Sequence, residues 1–233
     1  MSDALLEAIE AGNIDRLAEL LAAGADANAT VISRYYTLEF RLTPLLVAVR
    51  ALQTPGASEP GCSIDTVVLL LRYGADVNRW DEEHASTPLL TAVFNNHIDA
   101  VRILLAAGAD PNVRGDEGES PLRLCAEKGY LAMARLLLHC GANKTIHEGG
   151  GPAGMNALGF AATRLNVEMV KLLLAHGADP HVGDADDITV FERLQFTVEL
   201  GRVPEDPAAQ ERLREIRALL GDPGIPGSTS PNL

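Results

Sequence analysis

The sequence predicts an all-α solenoid of six stacked helix pairs, and three observations support this prediction. Six glycines each follow an apolar run, where a residue that tolerates the left-handed conformation can end a helix: Gly24, Gly74, Gly108, Gly141, Gly177 and Gly221. Upstream of each glycine lies a residue whose side-chain oxygen can cap a helix: Asp3, Thr43, Thr87, Ser120, Asn156 and Thr189. In four units the cap and the glycine are 21 residues apart, as in Thr87 to Gly108, which leaves room for two short helices and a tight turn.

The second and sixth units are longer by about ten residues, and the extra residues are typical of loops. Residues 51–63 are rich in Pro, Gly and Ser, and residues 201–207 again contain Gly and Pro, so each segment should connect the two helices of its unit. We therefore expect one repeat domain over residues 1–221, with units starting near residues 3, 43, 87, 120, 156 and 189. Residues 222–233 are rich in Pro, Gly and Ser, which predicts a disordered tail.

A connecting segment, here called a finger and numbered one to five, lies between each stop glycine and the next cap. Finger one is the longest, because Gly24 and Thr43 are 19 residues apart. Its run from Val31 to Phe40 is rich in β-forming residues. Finger one is therefore predicted to form an extended β-hairpin.

The units resemble a known repeat. Thr-Pro-Leu, small residues, a turn, an aliphatic helix and Gly-Ala-Asp follow one another closely from Thr87 to Asn112, and again, with Gly-Ala-Asn, from Ser120 to Asn143. This pattern resembles the ankyrin repeat, and the looser units extend the resemblance over residues 3–221. The resemblance implies a concave face flanked by fingers, and a function in binding proteins.

The basic residues are mostly arginine, which is typical of a GC-rich bacterial genome.

Composition and motifs argue against several functions. The chain has 19 Lys and Arg against 32 Asp and Glu, so a nucleic acid backbone would be repelled. No segment approaches the ~20 apolar residues that cross a bilayer, which predicts a cytoplasmic protein without membrane contact. Three cysteines without a CxxC pair, and six histidines without HExxH spacing, indicate no disulfide framework, catalytic site, metal or other cofactor. We expect no enzymatic activity.

Two segments resemble ligand-binding loops only in part. The glycine run over residues 149–154 lacks GxGxxG spacing and a GK[ST] ending, so it is interpreted as a flexible finger and not as a phosphate loop. Residues 184–187 begin like a calcium loop, but Ile188 holds the fifth position and Gln195 the twelfth. The sequence therefore predicts no calcium site.

The fingers are acidic. Outside the repeat aspartates they carry eleven acidic residues against four arginines: Glu39, Asp81, Glu82, Glu83, Asp116, Glu117, Glu119, Glu148, Asp184, Asp186 and Asp187 against Arg34, Arg41, Arg79 and Arg114. One interpretation is that these charges only keep the solenoid soluble. Aromatic residues beside them favour a contact surface, because interfaces use such side chains as anchors. Phe94 is left open, since its position either faces the groove or is packed.

The sequence thus predicts a non-catalytic scaffold that captures a partly basic protein through its fingers and concave face, and that is a monomer when free. The candidate partner-binding residues are Tyr35, Tyr36, Trp80, Asp81, Glu82, Glu83, Phe94, Asp116, Glu117 and Glu119. By resemblance, one form of this function is an inhibitor or immunity protein of a bacterial toxin. The alternative is a structural adaptor that links two proteins.

Overall fold

The computed structural model describes residues 2–35, 38–52, 62–81 and 86–221, so the predicted tail and most of the unit-two insertion lie outside the described residues. The described residues form twelve helices and one two-stranded sheet. In chain order these are α1 (Ser2–Glu10), α2 (Ile14–Ala22), β1 (Val31–Tyr35), β2 (Leu38–Leu42), α3 (Pro44–Arg50), α4 (Ile64–Arg72), α5 (Pro88–Phe94), α6 (Ile98–Ala106), α7 (Pro121–Lys128), α8 (Leu131–His139), α9 (Ala157–Thr163), α10 (Val167–Ala175), α11 (Val190–Glu199) and α12 (Pro207–Leu220).

The helices form two layers. The odd-numbered helices contact one another in chain order from α1 to α11, and the even-numbered helices do the same from α2 to α12. In the first five units the two helices of a unit also pack directly on each other. The prediction of an all-α solenoid of six stacked helix pairs is confirmed. We call the odd-numbered helices the inner layer, since the groove described below lies against them.

Helix starts and stops follow the local signals. The side chains of Thr43, Thr87, Ser120, Asn156 and Thr189 each accept a hydrogen bond from the backbone N–H three residues later. Asp3 is the exception, because α1 already begins at Ser2 and Asp3 lies in its first turn. All six stop glycines have a positive φ, between 70° and 93°. Glycine adopts this left-handed conformation without the strain that a side chain would cause, so it can end each helix.

Finger one forms the predicted hairpin. Strands β1 and β2 pair antiparallel, with Val31 opposite Leu42 and Tyr35 opposite Leu38. Val31 and Leu42 at its base are buried, and β1 packs against α1. The hairpin is therefore joined to the first two units by apolar contacts at its base.

A row of small side chains lets the inner helices approach closely. The fifth residue after each cap in units two to five is Ala48, Ala92, Cys125 and Ala161, and all four are fully buried. Burial raises the pKa of the Cys125 thiol, which disfavours the reactive thiolate form. Cys125 fills a small-residue position of the core, as its spacing from Ser120 indicates.

A ladder of asparagines ties the finger bases together. The Oδ1 atoms of Asn28, Asn78 and Asn112 accept from a backbone N–H in the next unit at 2.7, 2.8 and 3.0 Å. Their amide nitrogens donate to the next stop-glycine carbonyl at 2.8 to 3.0 Å. In unit four the residue at the asparagine position is Thr145. Here the N–H of Asp179 in the next unit donates to His147 Nε2 at 2.8 Å instead. The bases of consecutive fingers are thus held one repeat apart.

Candidate functional site

A groove of about 1040 Å³ lies between the inner helices of units one to four and fingers one to three. Its floor is largely apolar and includes Leu46, Val47, Leu90, Phe94 and Leu124. Its remaining lining residues are mostly polar or charged: Arg50 is basic, and five are acidic, Glu10, Asp81, Asp116, Glu117 and Glu119. An apolar floor beside an acidic wall is suited to a ligand that offers both an apolar surface and positive charge.

Phe94 lies at the C-terminal end of α5, and its ring faces the groove. The residue is 60% exposed, which decides between the two positions that the sequence left open. The ring is not bare, because Lys128 Nζ lies 5.7 Å from its centroid. Lys128 is itself held by Glu127, whose Oε1 lies 3.1 Å from Nζ. An intramolecular cation–π contact therefore covers part of this aromatic surface.

Finger three presents carboxylates to the same groove. The Gly115 N–H donates to Glu119 O at 2.8 Å, and the Gly118 N–H donates to Gly115 O at 3.0 Å, which closes a tight turn. Gly118 adopts a φ of +81°, which the turn requires. Asp116 and Glu117 at the tip are exposed, and Glu119 is half-buried. The turn therefore fixes three acidic residues within one short segment of the groove wall.

Finger two is packed more firmly than the sequence suggested. The backbone of Asp81 pairs with that of Ser86, and Asp81 is only 7% exposed. Trp80 is half-buried against the core. Both residues line a second groove of about 580 Å³, together with Arg41 and Arg79. Of the remaining candidates in fingers one and two, Tyr36, Glu82, Glu83 and the side chain of Tyr35 lie outside the described residues.

Fingers four and five pair three of their acids with arginines. Arg193 on α11 donates from Nε to Asp184 Oδ2 at 2.8 Å and from Nη2 to Asp186 Oδ2 at 2.7 Å. In this segment, which begins like a calcium loop, an arginine thus supplies the positive charge. Glu148 forms an ion pair with Arg114. These three carboxylates therefore contribute less to the surface field than a count over the sequence implies.

The glycine run of finger four is closely packed, so its interpretation as a flexible finger is wrong. A Cβ at Gly149 would collide with Gly154 O, and one at Gly150 would collide with Glu117 O. Arg123 of α7 binds the glycine run and the residue after it. Its guanidinium donates to Gly150 O and, from Nε at 3.0 Å, to Met155 O. Glycine here permits a close approach of backbone to backbone.

Arg123 was not singled out by the sequence, yet it links finger three to finger four. Its burial lowers the pKa, while the negative charges of Glu127, Glu119 and Glu117 raise it. The Gly151 N–H also donates to Glu117 O. Finger three, which forms the acidic wall of the groove, is therefore hydrogen-bonded to finger four. Counting from the caps would have located Arg123 and Lys128, since they are the third and eighth residues after Ser120.

Over the parts of the chain that the structure describes, no three His, Cys, Asp or Glu residues are placed to hold a metal ion. Two of the histidines contact backbone groups: His97 Nε2 lies 3.1 Å from Leu52 O, and His147 accepts from Asp179 as described above. In the same ranges, each helix is either too short or too polar to cross a bilayer.

Comparison with known proteins agrees with this architecture. The model for ankyrin repeats matches three times, over residues 5–115, 56–148 and 115–184. The chain belongs to the ankyrin repeat family. Ankyrin repeats are protein–protein interaction modules, so the repeat domain of this chain is a protein-binding domain.

Relatives include bacterial proteins, one of them of similar length. The ankyrin repeat protein YahD of Escherichia coli strain K12 is 28% identical over 219 residues, which is 92% of both chains. An ankyrin repeat-containing protein of Treponema pallidum is 32% identical over 64% of this chain and 44% of its own length. The B-cell lymphoma 3 protein homolog of Mus musculus is 36% identical over 45% of this chain, a match that spans 21% of that protein. The match therefore covers less than half of the Treponema and mouse proteins.

Proposed function

We propose that this protein is a non-catalytic scaffold that captures one partly basic protein in the groove between its inner helices and fingers two and three. The observation that carries the proposal is the exposed Phe94 ring on an apolar floor, in the same groove as three carboxylates of finger three. Among the described residues, Asp116, Glu117 and Glu119 form no ion pair, in contrast to Glu148, Asp184 and Asp186. Their negative charge is directed toward solvent and the groove.

The two kinds of residue have different tasks in this proposal. Exposed carboxylates at the rim attract a basic surface over a distance of about a Debye length, ~8 Å at physiological salt, and so raise the association rate. An aromatic ring that loses its remaining water on binding slows dissociation. Trp80 contributes less as an anchor than an exposed tryptophan would, because part of it is already packed on the core.

A single partner fits the grooves better than two partners do. The larger and the smaller groove share Leu42, Leu46 and Asp81 in their linings, so they adjoin each other. One partner surface can therefore cover both, as in an inhibitor that masks the active site of a basic toxin. A structural adaptor would need two separate surfaces, for which finger one and the unit-two insertion are the candidates.

Affinity capture followed by binding kinetics tests the proposal. The immobilised chain is used to isolate partners, and each purified partner is then measured against the triple variant Asp116→Asn, Glu117→Gln, Glu119→Gln. The matched control is Asp15→Asn, Asp65→Asn, Glu205→Gln, which makes the same change in net charge at exposed sites away from the groove. We expect the groove variant to slow association at least several-fold at low salt, and the control to leave it nearly unchanged. Equal effects of the two variants would show that the groove acids do not form the contact.

Stoichiometry and gene context then separate the forms of the function. One partner bound at a ratio of one to one, with loss of that partner's activity, supports an inhibitor. A neighbouring toxin gene in the source genome would specify immunity. Simultaneous capture of two proteins that do not compete would favour the structural adaptor.

A further inference from the structure

We propose that the exposed face of Phe94 is a subsite for an arginine side chain of the partner, and that Lys128 occupies this subsite while the groove is empty. The inference rests on the proposed function, since it specifies which chemical group of the basic partner enters the groove. The free protein would then be held in a self-occupied state, and binding would exchange an internal cation for an external one.

Lys128 already lies against the Phe94 ring. Its Nζ lies 5.7 Å from the ring centroid, within the ~6 Å at which a cation is attracted by the electrons of an aromatic face. It nevertheless leaves most of Phe94 accessible to solvent. Lys128 is the terminal residue of α7, its side chain is 38% exposed, and its ammonium is also held by Glu127. It can therefore leave the ring without losing its ion pair or its hydration.

The walls of the groove favour arginine as the incoming group. A guanidinium is planar, stacks on an aromatic face and still directs several N–H groups outward to carboxylates, whereas an ammonium is a compact, strongly hydrated charge. Phe94 provides the aromatic face, and Asp116, Glu117 and Glu119 provide the carboxylates along the same groove. An arginine can therefore satisfy both kinds of surface at once, which Lys128 does not do.

The same protein contains an internal example of this arrangement. The Arg123 guanidinium carbon lies 5.1 Å from the centroid of the Phe160 ring, while its N–H groups donate to carbonyl oxygens of finger four. Burial lowers the pKa of Arg123, and the negative charges of Glu127, Glu119 and Glu117 oppose that shift. An arginine beside a phenylalanine ring and near the acids of finger three is thus already present one unit further along the solenoid.

A plain charge effect must be separated from competition for the ring. Replacing Lys128 by methionine makes the groove more negative, which would favour any basic ligand through the long-range field alone. Competition predicts something narrower, because the gain should require the Phe94 ring. A double-mutant cycle of Lys128→Met with Phe94→Leu measures that dependence directly. Both side chains are exposed at helix ends, so neither substitution disturbs the core.

The probe is a set of random linear peptides displayed on phage and selected at low salt on the full chain. Selected peptides are synthesised with each arginine in turn replaced by citrulline, which keeps the shape and removes the charge. We expect Lys128→Met to tighten binding about two- to fivefold, the range of an exposed cation–π contact, and Phe94→Leu to abolish this gain. One citrulline position should also abolish it. Lys144→Met, at an exposed finger-four lysine, is the control and should leave affinity unchanged.

The outcomes separate this inference from the proposed function. If Lys128→Met gives the same gain with and without the Phe94 ring, or if every citrulline peptide keeps the gain, the subsite is overturned. In that case a loss of affinity in the triple groove variant would still support the proposed function. If the triple variant binds the selected peptides as well as the unaltered chain does, the groove is not their binding site, and both proposals fail.

Discussion

Fingers three and five contain the same kind of sequence, and the structure uses them in opposite ways. Each is a short turn rich in Gly and acidic residues that leads to a helix cap. In finger five, Asp184 and Asp186 are bound by the guanidinium of Arg193. In finger three, Asp116 and Glu117 are exposed and line the groove, and no described arginine binds them in an ion pair. Local composition therefore does not decide whether an acidic finger is a structural element or a recognition surface.

One position on the following inner helix decides it. Arg193 is the fourth residue after the cap Thr189, and Leu124 is the fourth residue after the cap Ser120. In unit six this position holds an arginine that binds Asp184 and Asp186 of the preceding finger. In unit four it holds a leucine that lines the same groove as the acids of finger three. Three changes would break this comparison, and a fourth tests the base of the fingers.

The largest expected effect is the loss of the clamp in finger five. Arg193→Leu removes the cation beside Asp184, whose side chain is 1% exposed. A buried charge without its partner destabilises a fold by about 3 kcal/mol or more. The N–H groups of Asp186 and Ile188 still donate to Asp184, which keeps the expected loss near the lower end of the usual range. Urea unfolding followed by far-UV circular dichroism measures the effect.

Hydrogen exchange locates that loss. Each unit of a solenoid contacts only its neighbours, so protection should fall in α11 and α12 first. Arg193→Lys is the matched control, because it keeps the charge but not the two-pronged geometry, and it should lose less stability than Arg193→Leu. Unchanged protection of α11 and α12 in Arg193→Leu would contradict a structural role for the finger-five acids.

The second change separates fingers three and four. A Cβ on Gly150 would meet Glu117 O at 2.5 Å and Gly118 O at 2.7 Å, and neither is the end of a flexible side chain. Gly150→Ala should therefore destabilise the fold by about 1–3 kcal/mol, as overpacking does, and loosen the groove wall. Gly159→Ala is the control, because its nearest neighbour would lie at 3.4 Å and the residue is within α9. That control should be neutral or stabilising in thermal unfolding.

The third change converts finger three into a copy of finger five. Leu124→Arg places a guanidinium under Asp116, Glu117 and Glu119, which would neutralise the wall and fill part of the groove. We expect affinity for a captured partner to fall about tenfold, equivalent to ~1.4 kcal/mol, when measured by calorimetry. Leu124→Met keeps the apolar floor and should retain binding. An Arg variant that binds as tightly as the Met variant would remove Leu124 from the explanation.

The fold could be predicted from the sequence because its signals are local. A cap such as Thr87, its following proline and the stop at Gly108 each report on the residues beside them, and their equal spacing repeats the evidence. The hairpin of finger one was likewise marked by its own β-forming residues. Asp3 shows the limit of this reasoning, since the helix begins at Ser2, two residues before the start at Ala4 that a cap at Asp3 predicts.

The site could be predicted only in part, because its electrostatics depend on contacts between units. Counting acids over the fingers treated Glu148, Asp184 and Asp186 as equal to Asp116, although arginines on neighbouring elements neutralise them. Likewise, no local pattern places Lys128 of unit four over Phe94 of unit three. Such pairs become visible in the sequence only when the units are aligned at their caps and read across.

The smallest expected effect concerns how the finger bases are joined. Replacing either of two buried threonines, Thr145 and Thr197, by valine should change the free energy of unfolding, and the two changes should have opposite signs. Thr145 replaces the ladder asparagine, and among the described residues its buried hydroxyl oxygen has no hydrogen-bond partner. Thr145→Val keeps the shape and removes the unsatisfied group, so it should stabilise the fold by up to ~1 kcal/mol. Thr197 is the matched control, because its buried hydroxyl donates to Arg193 O at 2.8 Å. Thr197→Val should instead destabilise by about 1 kcal/mol, since a formed bond is lost. Thermal unfolding of the two variants under one set of conditions decides the matter. If both substitutions lower the melting temperature equally, Thr145 forms a bond in solution, and the ladder continues through unit four without a break.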